Sequence, residues 1–207
     1  MSLSQSKKRN SNIDLIRGFA IILMIFDHAL LAYSSIYGDN DFIYLFRITL
    51  TRFSMPLFMI ISGTVLFLYG LKARRWLSVL IIALAINIIT INLWEDFNSP
   101  EILLVWCFVV IFYKIYLKLP ITTLILGYVQ TQFFQITLYN YNGYQPGDII
   151  IFLVFGILIS KYITSLTFPI LSKLSIIHFI SFIGSKPLTI YFSHLLLLSI
   201  IIHFLTI

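Results

Sequence analysis

Long apolar runs alternate with short polar breaks along the whole chain. The runs lie near 13–35, 43–70, 76–94, 101–118, 120–138, 148–165 and 187–206, and the breaks include YGDND, WEDFNSPE and NYNGYQPGD. Each run approaches the ~20 apolar residues that a helix needs to cross the hydrocarbon core, and none has the strict alternation of a transmembrane β-strand. The pattern predicts an all-α, polytopic integral membrane protein of about seven transmembrane helices. It forms one domain over residues 1–207, with 1–12 as a cytoplasmic N-terminal tail. The segment TFPILSKLSIIHFISFIGSK joins the last two runs. Pro169, Lys173 and Gly184 interrupt it, so it reads as an interfacial amphipathic piece and not as a crossing.

Composition strengthens the assignment, because 59% of the 207 residues are hydrophobic and 11% charged, against roughly 45–50% and about 25% in soluble domains. No cleavable signal is expected, since the first run follows a polar start and carries Asp14, Arg17, Asp27 and His28. The single cysteine, Cys107, lies in an apolar run. It excludes an intramolecular disulfide or a cysteine metal cluster and reads as inert packing. Charge then sets orientation. Lys7, Lys8 and Arg9 precede the first run, and Lys72, Arg74 and Arg75 follow the second. Lys114 and Lys118 end the fourth, and Lys161, Lys173 and Lys186 follow the sixth, whereas the connections on the other side contain no lysine or arginine. The positive-inside rule places the N-terminus in the cytoplasm and the C-terminus outside. The net charge of +6 is therefore a topology signal, not a nucleic-acid surface.

Ionisable groups inside a span cost at least about 2.5–3.5 kcal/mol near the bilayer centre, so each needs a partner or a job. Asp14, Arg17, Asp27, His28, Arg47 and Arg52 are such groups. At about 100° per residue, Asp14, Arg17, Ile21, Met24, His28 and Ser35 fall on one stripe that should face protein, with Asp27 pointing about 100° away from His28. At 1.5 Å per residue His28 lies about 22 Å in from a start near Ile13, while Arg47 and Arg52 lie about 8 and 15 Å in from the opposite end of the second span. All three share a depth range with Asp27, and Arg52, being deeper, is the expected partner of Asp27, since Arg47 can snorkel outward. One reading is that these ion pairs do no more than lock two helices together. A histidine beside a carboxylate and guanidinium groups, however, is what proton transfer near neutral pH needs.

Tyr191 and His194 stand three apart on the last span, about 10 Å above its start, where a lone histidine is more often a helix-to-helix hydrogen bond. His178 and His203 lie near interfaces and read as structural. No His/Glu/Asp set has metal-ligand spacing, so no metal is expected, and nucleotide-binding glycine patterns and a G-x-S-x-G elbow are absent.

The blocks NIDLIRGFAIILMIFDH, MPLFMIISGTVLFLYG, LKARRWL, PGDIIIFLVFGILIS and FIGSKPLTIYFSH, in this order, cover nearly the whole chain. They resemble the catalytic domain of the heparan-α-glucosaminide N-acetyltransferase family, within the transmembrane acyltransferase superfamily that includes bacterial polysaccharide O-acyltransferases. The fourth span departs from that pattern, with EILLVWC in place of a histidine-containing element. The resemblance implies a membrane-embedded enzyme that takes an acyl group, acetyl in the simplest case, from cytoplasmic acetyl-CoA to a hydroxyl or amine, often of a saccharide. It implies that His28 is the catalytic histidine, Arg17 the arginine of the first span and His194 the histidine of the closing motif.

That chemistry needs a base or nucleophile and donors for an oxyanion. His28 suits the first role, assisted by Asp27, with Arg47 or Arg52 for the oxyanion or the diphosphate. Arg17, Lys72, Arg74, Arg75, Tyr191 and His194 fall to the acyl-CoA side, the basic ones where phosphates would arrive. Pro56 and Gly63 could permit irregular backbone around a cavity in the membrane. The expected partners are the bilayer, acyl-CoA and a saccharide or other small acceptor, with self-association left open. Rival classes are a small proton- or anion-coupled transporter and a non-catalytic scaffold.

Overall fold

The computed structural model describes residues 10–38, 40–49, 51–93, 102–137, 145–165 and 175–206. All its regular structure there is helical. The helices are α1 (Ser11–Tyr37), α2 (Asp41–Thr49), α3 (Ser54–Tyr69), α4 (Ala73–Leu93), α5 (Ile102–Val109), α6 (Tyr113–Lys118), α7 (Pro120–Thr137), α8 (Pro146–Leu158), α9 (Ser160–Ser165), α10 (Ser175–Ser185) and α11 (Pro187–Thr206), with 3₁₀ turns at Thr51–Phe53 and Val110–Phe112. The expected tail over 1–9, with Lys7, Lys8 and Arg9, and the polar breaks at 94–101 and 138–144 lie outside the described residues, as does Lys173.

Two stretches, Ser11–Ser34 and Asp41–Tyr69, are long and apolar enough to cross a membrane, and α10 with α11 make a third if that pair, bent by 88°, is one broken span. The remaining runs are helical, but several are interrupted. The run expected at 101–118 breaks at Val110–Phe112, where the Tyr116 hydroxyl donates to the carbonyl of Val109 at 2.7 Å. The run at 148–165 divides between α8 and α9. Among the described residues, length and composition therefore single out two crossings, or three with the bent pair, and do not reach the seven expected.

The surface shows what surrounds this bundle. On α4, Leu77, Ile81, Leu84 and Ile88 form an exposed stripe at helical spacing, while Val79, Ala83 and Ile86 on the other face are buried. An apolar ridge of that kind would be a liability in water and is the ordinary lipid-facing side of a membrane helix. The protein is an integral membrane protein.

Between helices that lipid solvates as well as protein does, close approach is the main source of packing energy, and small residues permit it. Gly18 of α1 lies against the backbone of Ile180 in α10, and Gly184 of α10 lies against the carbonyl of Asp14 and the amide of Gly18. Gly63 of α3 and Gly156 of α8 make a second such crossing, over the carbonyls of Leu153 and Ile60. There the buried Thr64 hydroxyl donates to the carbonyl of Gly156 at 3.0 Å. Gly63 thus serves helix contact within a regular helix and does not loosen the backbone. Pro56 occupies the first turn of α3, where its missing N–H would have no intrahelical partner.

Helix α1 is the hub, touching α2, α3, α9, α10 and α11. Helix α10, part of the segment expected to lie along the interface, packs against the first turns of α1, and the chain turns sharply into α11 at Lys186–Pro187. Proline at the first position of α11 has the backbone angle the helix needs and lacks only a hydrogen bond that is unmade there anyway.

Candidate active site

The start of α1 is built by its own polar residues. Asn10 caps it, its side chain accepting from the amide of Asn12 at 2.9 Å, and Asp14 places negative charge in the first turn, where the helix dipole favours it. One turn on, Arg17 Nη1 donates to Asp14 Oδ1 at 3.3 Å and to the carbonyl of Gly184 at 3.2 Å. Both ionic side chains are only 10% exposed. The contact with Gly184 exists because glycine lets α10 approach α1 so closely. Arg17 is thereby fixed by two helices.

Beside Arg17 a cavity of about 390 Å³ is lined by Asn10, Asp14, Tyr69, Lys72, Arg75 and Ser185, among others. A smaller, mostly apolar cavity shares Arg17, Lys72 and Arg75 and runs on between Phe58, Trp76, Trp106 and Leu188. Gly70 places the two basic residues here. It ends α3 in a left-handed conformation, φ 68°, that a side chain would strain, and its amide still bonds to the carbonyl of Leu66. Arg74 faces away, exposed, and lines neither cavity. Ser62 and Trp106, joined by a 2.7 Å bond from Trp106 Nε1 to Ser62 Oγ, also line the inner part. The sequence reading missed both. The available signal was a tryptophan within an apolar run, a residue whose N–H must find a partner when buried.

Farther along α1, about 16 Å beyond Arg17 at the helical rise, His28 Nδ1 lies 2.9 Å from His194 Nε2 of α11. The rings are 12° from parallel with centroids 5.2 Å apart. That separation exceeds the nitrogen-to-nitrogen distance by one ring radius at each end, so the imidazoles meet edge to edge in a shared plane and are not stacked face to face. His194 Nδ1 is 3.0 Å from the carbonyl of Ile190, one turn earlier, and the Tyr191 ring packs edge-on against the His194 ring at 5.5 Å. His194 and Tyr191 therefore sit at the histidine pair and line neither of these two basic cavities. His28 lines neither cavity as well.

Asp27, on the adjacent face of α1, binds Arg47 of α2, Nε to Oδ1, at 3.2 Å. Arg52, the expected partner, is exposed on the 3₁₀ turn after α2. The reason is that the second span is not one straight helix. It tightens to a 3₁₀ turn at Thr51–Phe53, so rotation counted at about 100° per residue from Phe42 does not hold at Arg52. His178 is exposed on α10, and the side chain of His203 lies outside the described residues. Among the described residues no group of three or more His, Cys, Asp or Glu side chains could hold a metal ion.

A basic cavity at one end of α1, an imidazole pair deeper on the same helix, and an ion pair beside it are now placed. A family model described as an acyltransferase domain matches residues 10–113, half of the chain. The chain belongs to this acyltransferase family. The matched half carries Arg17, Asp27, His28, Arg47, Lys72 and Arg75, whereas His194 comes from beyond it. No curated protein and no solved structure matches the chain.

Proposed function

We propose that this membrane acyltransferase moves an acyl group, acetyl in the simplest case, from acyl-CoA to a hydroxyl or amine of a saccharide, as its resemblance to the heparan-α-glucosaminide N-acetyltransferases suggests. The observation that carries the reading is the sharing of one helix by a basic cavity and a hydrogen-bonded histidine. Arg17, Lys72 and Arg75 are suited to the donor's phosphates, since guanidinium and ammonium groups bind phosphate oxygens by charge-assisted hydrogen bonds. Trp76, Trp106, Phe58 and Leu188 give an apolar path for the donor's arm. His28 is the base that takes the acceptor's proton as its oxygen or nitrogen attacks the thioester carbonyl. The carbon–sulfur bond then breaks, and the leaving sulfur receives that proton. In this reading Arg47, held by Asp27, supplies positive charge beside the reacting carbonyl. The basic clusters support a reading in which the donor cavity and the N-terminus lie on the cytoplasmic side of a multi-pass protein.

The test uses purified full-length protein in detergent with labelled acetyl-CoA and a panel of saccharides. Wild-type protein should consume the thioester and label an acceptor, and His28→Ala, folded by its thermal transition, should lose at least about 10²-fold in rate, the usual worth of a general base. Equal rates for the two proteins would remove His28 from the chemistry, and a wild type that leaves acetyl-CoA intact would favour a transporter or scaffold.

A further inference from the structure

Resting on that reading, we propose that His194 is a positioning residue: it accepts the Nδ1–H of His28 and so holds the lone pair on His28 Nε2, the nitrogen that receives the acceptor's proton.

The assignment follows from the last acceptor in the chain. The carbonyl of Ile190 has lone pairs and no hydrogen, so the 3.0 Å contact requires His194 Nδ1 to carry the proton. A neutral imidazole has one N–H, which leaves His194 Nε2 as an acceptor. The 2.9 Å contact then requires His28 Nδ1 to donate, and His28 Nε2 is left unprotonated. Coplanarity of the rings aligns the His28 N–H with the His194 lone pair, as a linear hydrogen bond needs. His194 is buried, and its bond to the preceding turn of its own helix, with Tyr191 edge-on beside it, fixes the ring. Turning the ring would give up both hydrogen bonds at once.

A carboxylate does not do this work. In Ser-His-Asp enzymes an aspartate both selects the tautomer and stabilises the imidazolium. Here Asp27 is turned to Arg47, and the orienting chain ends on a neutral carbonyl. His194 therefore selects the tautomer without adding charge. During transfer the proton of the acceptor O–H or N–H moves to His28 Nε2, the acceptor atom bonds to the acyl carbon, and the C–S electron pair leaves with the CoA sulfur. The sulfur then takes the proton from Nε2. His194 stays neutral throughout.

The experiment is ¹⁵N spectroscopy of histidine-labelled full-length protein, with His28 assigned by its absence in His28→Gln, combined with acyl-transfer kinetics on His194→Phe and His194→Gln. Phenylalanine keeps a ring and removes the acceptor, while the glutamine amide oxygen can stand near the place of Nε2. Wild-type His28 should carry its proton on Nδ1. His194→Phe should shift it toward the Nε2–H form that free imidazole favours and lower kcat by roughly 10²–10⁴-fold, the span from a lost general base to a wrong tautomer, with KM for acetyl-CoA little changed. His194→Gln should recover both. A wild type that turns over through His28 while bearing its proton on Nε2 would overturn the role of His194 alone. So would equal losses in both variants with the His28 signal unmoved. Should His194→Phe fail to fold, the wild-type and His194→Gln spectra decide it. A wild type without acyl transfer but with the Nδ1–H form would count against the proposed reaction, and the tautomer would stand as read.

Discussion

Replacing Asp27 by asparagine should cost about 1–2 kcal/mol, and the loss should be shared with Arg47 and not with Arg52. The contact is a single Nε-to-Oδ1 bond of 3.2 Å, with the aspartate side chain 28% and the arginine side chain 24% exposed. Unit charges 4 Å apart attract by about 4 kcal/mol at an effective dielectric of about 20, before desolvation and side-chain ordering are subtracted. Measured couplings between polar side chains of membrane helices average ~0.6 and reach ~1.7 kcal/mol. A partly exposed, singly bonded ion pair belongs in the upper part of that range, so a coupling of about 1–1.5 kcal/mol is expected. It should fall below the ~3–5 kcal/mol for breaking a fully buried pair, because Arg47 can extend to the interface. The assay is thermal unfolding in detergent of Asp27→Asn, Arg47→Gln, Arg52→Gln and the two double variants that contain Asp27→Asn. For a chain of this length about 2–4 °C accompanies each kcal/mol. The Asp27–Arg52 cycle should close to within ~0.3–0.5 kcal/mol, as independent sites do. Additive losses for Asp27 with Arg47, or coupling to Arg52 of the larger size, would refute the pairing of Asp27 with Arg47.

Two further outcomes test the basic cavity as the proposed donor site. Lys72→Ala and Arg75→Ala should each raise KM for acetyl-CoA roughly tenfold or more, the low end for losing a hydrogen bond to a charged group, with kcat little changed; Arg74→Ala, which removes a side chain that lines neither cavity, should leave both constants as they are. Gly184→Ala would drive a methyl group into the carbonyl of Asp14 and the amide of Gly18, so α10 must move off α1. It should lower thermal stability by about 1–3 kcal/mol, the usual cost of overpacking, and raise KM as well, because Arg17 loses the carbonyl that holds it.

Much of this was legible in the order of residues. The polar stripe of α1 was readable because one uninterrupted helix carries it. Asp14, Arg17 and Ile21 are buried as a 3.6-residue period requires, and His28 meets a partner helix. The basic residues at the head of α4 were readable as a group, but not their division. Which of Lys72, Arg74 and Arg75 face the cavity depends on the left-handed turn at Gly70, and charge counting contains no rotation. Arg47 and Arg52 failed for a related reason. Depth and angle were extrapolated along a straight helix, and the 3₁₀ turn at Thr51–Phe53 resets both.

The pairing of His28 with His194 was hidden by the same assumption applied to the last span. Counting from a membrane boundary at Pro187 puts His194 about 10 Å deep and His28 about 22 Å deep, too far apart to touch. The count fails because α1 and α11 do not start at the same level. Helix α10 folds in beside the first turns of α1, Gly184 rests on the backbone between Asp14 and Gly18, and α11 therefore starts near the level of Arg17, already well along α1. From there seven residues of rise, about 10 Å, bring His194 within about 6 Å of the level of His28, a gap the two imidazole side chains span. The small residues that permit this, Gly18 and Gly184, look unremarkable in an apolar sequence, since glycine is common in membrane helices for many reasons. What makes them consequential is the backbone that each one faces. The same glycine contact presents the carbonyl of Gly184 to Arg17 and sets the starting height of the helix that brings His194 to His28, so one close crossing fixes both the arginine at the basic cavity and the imidazole pair.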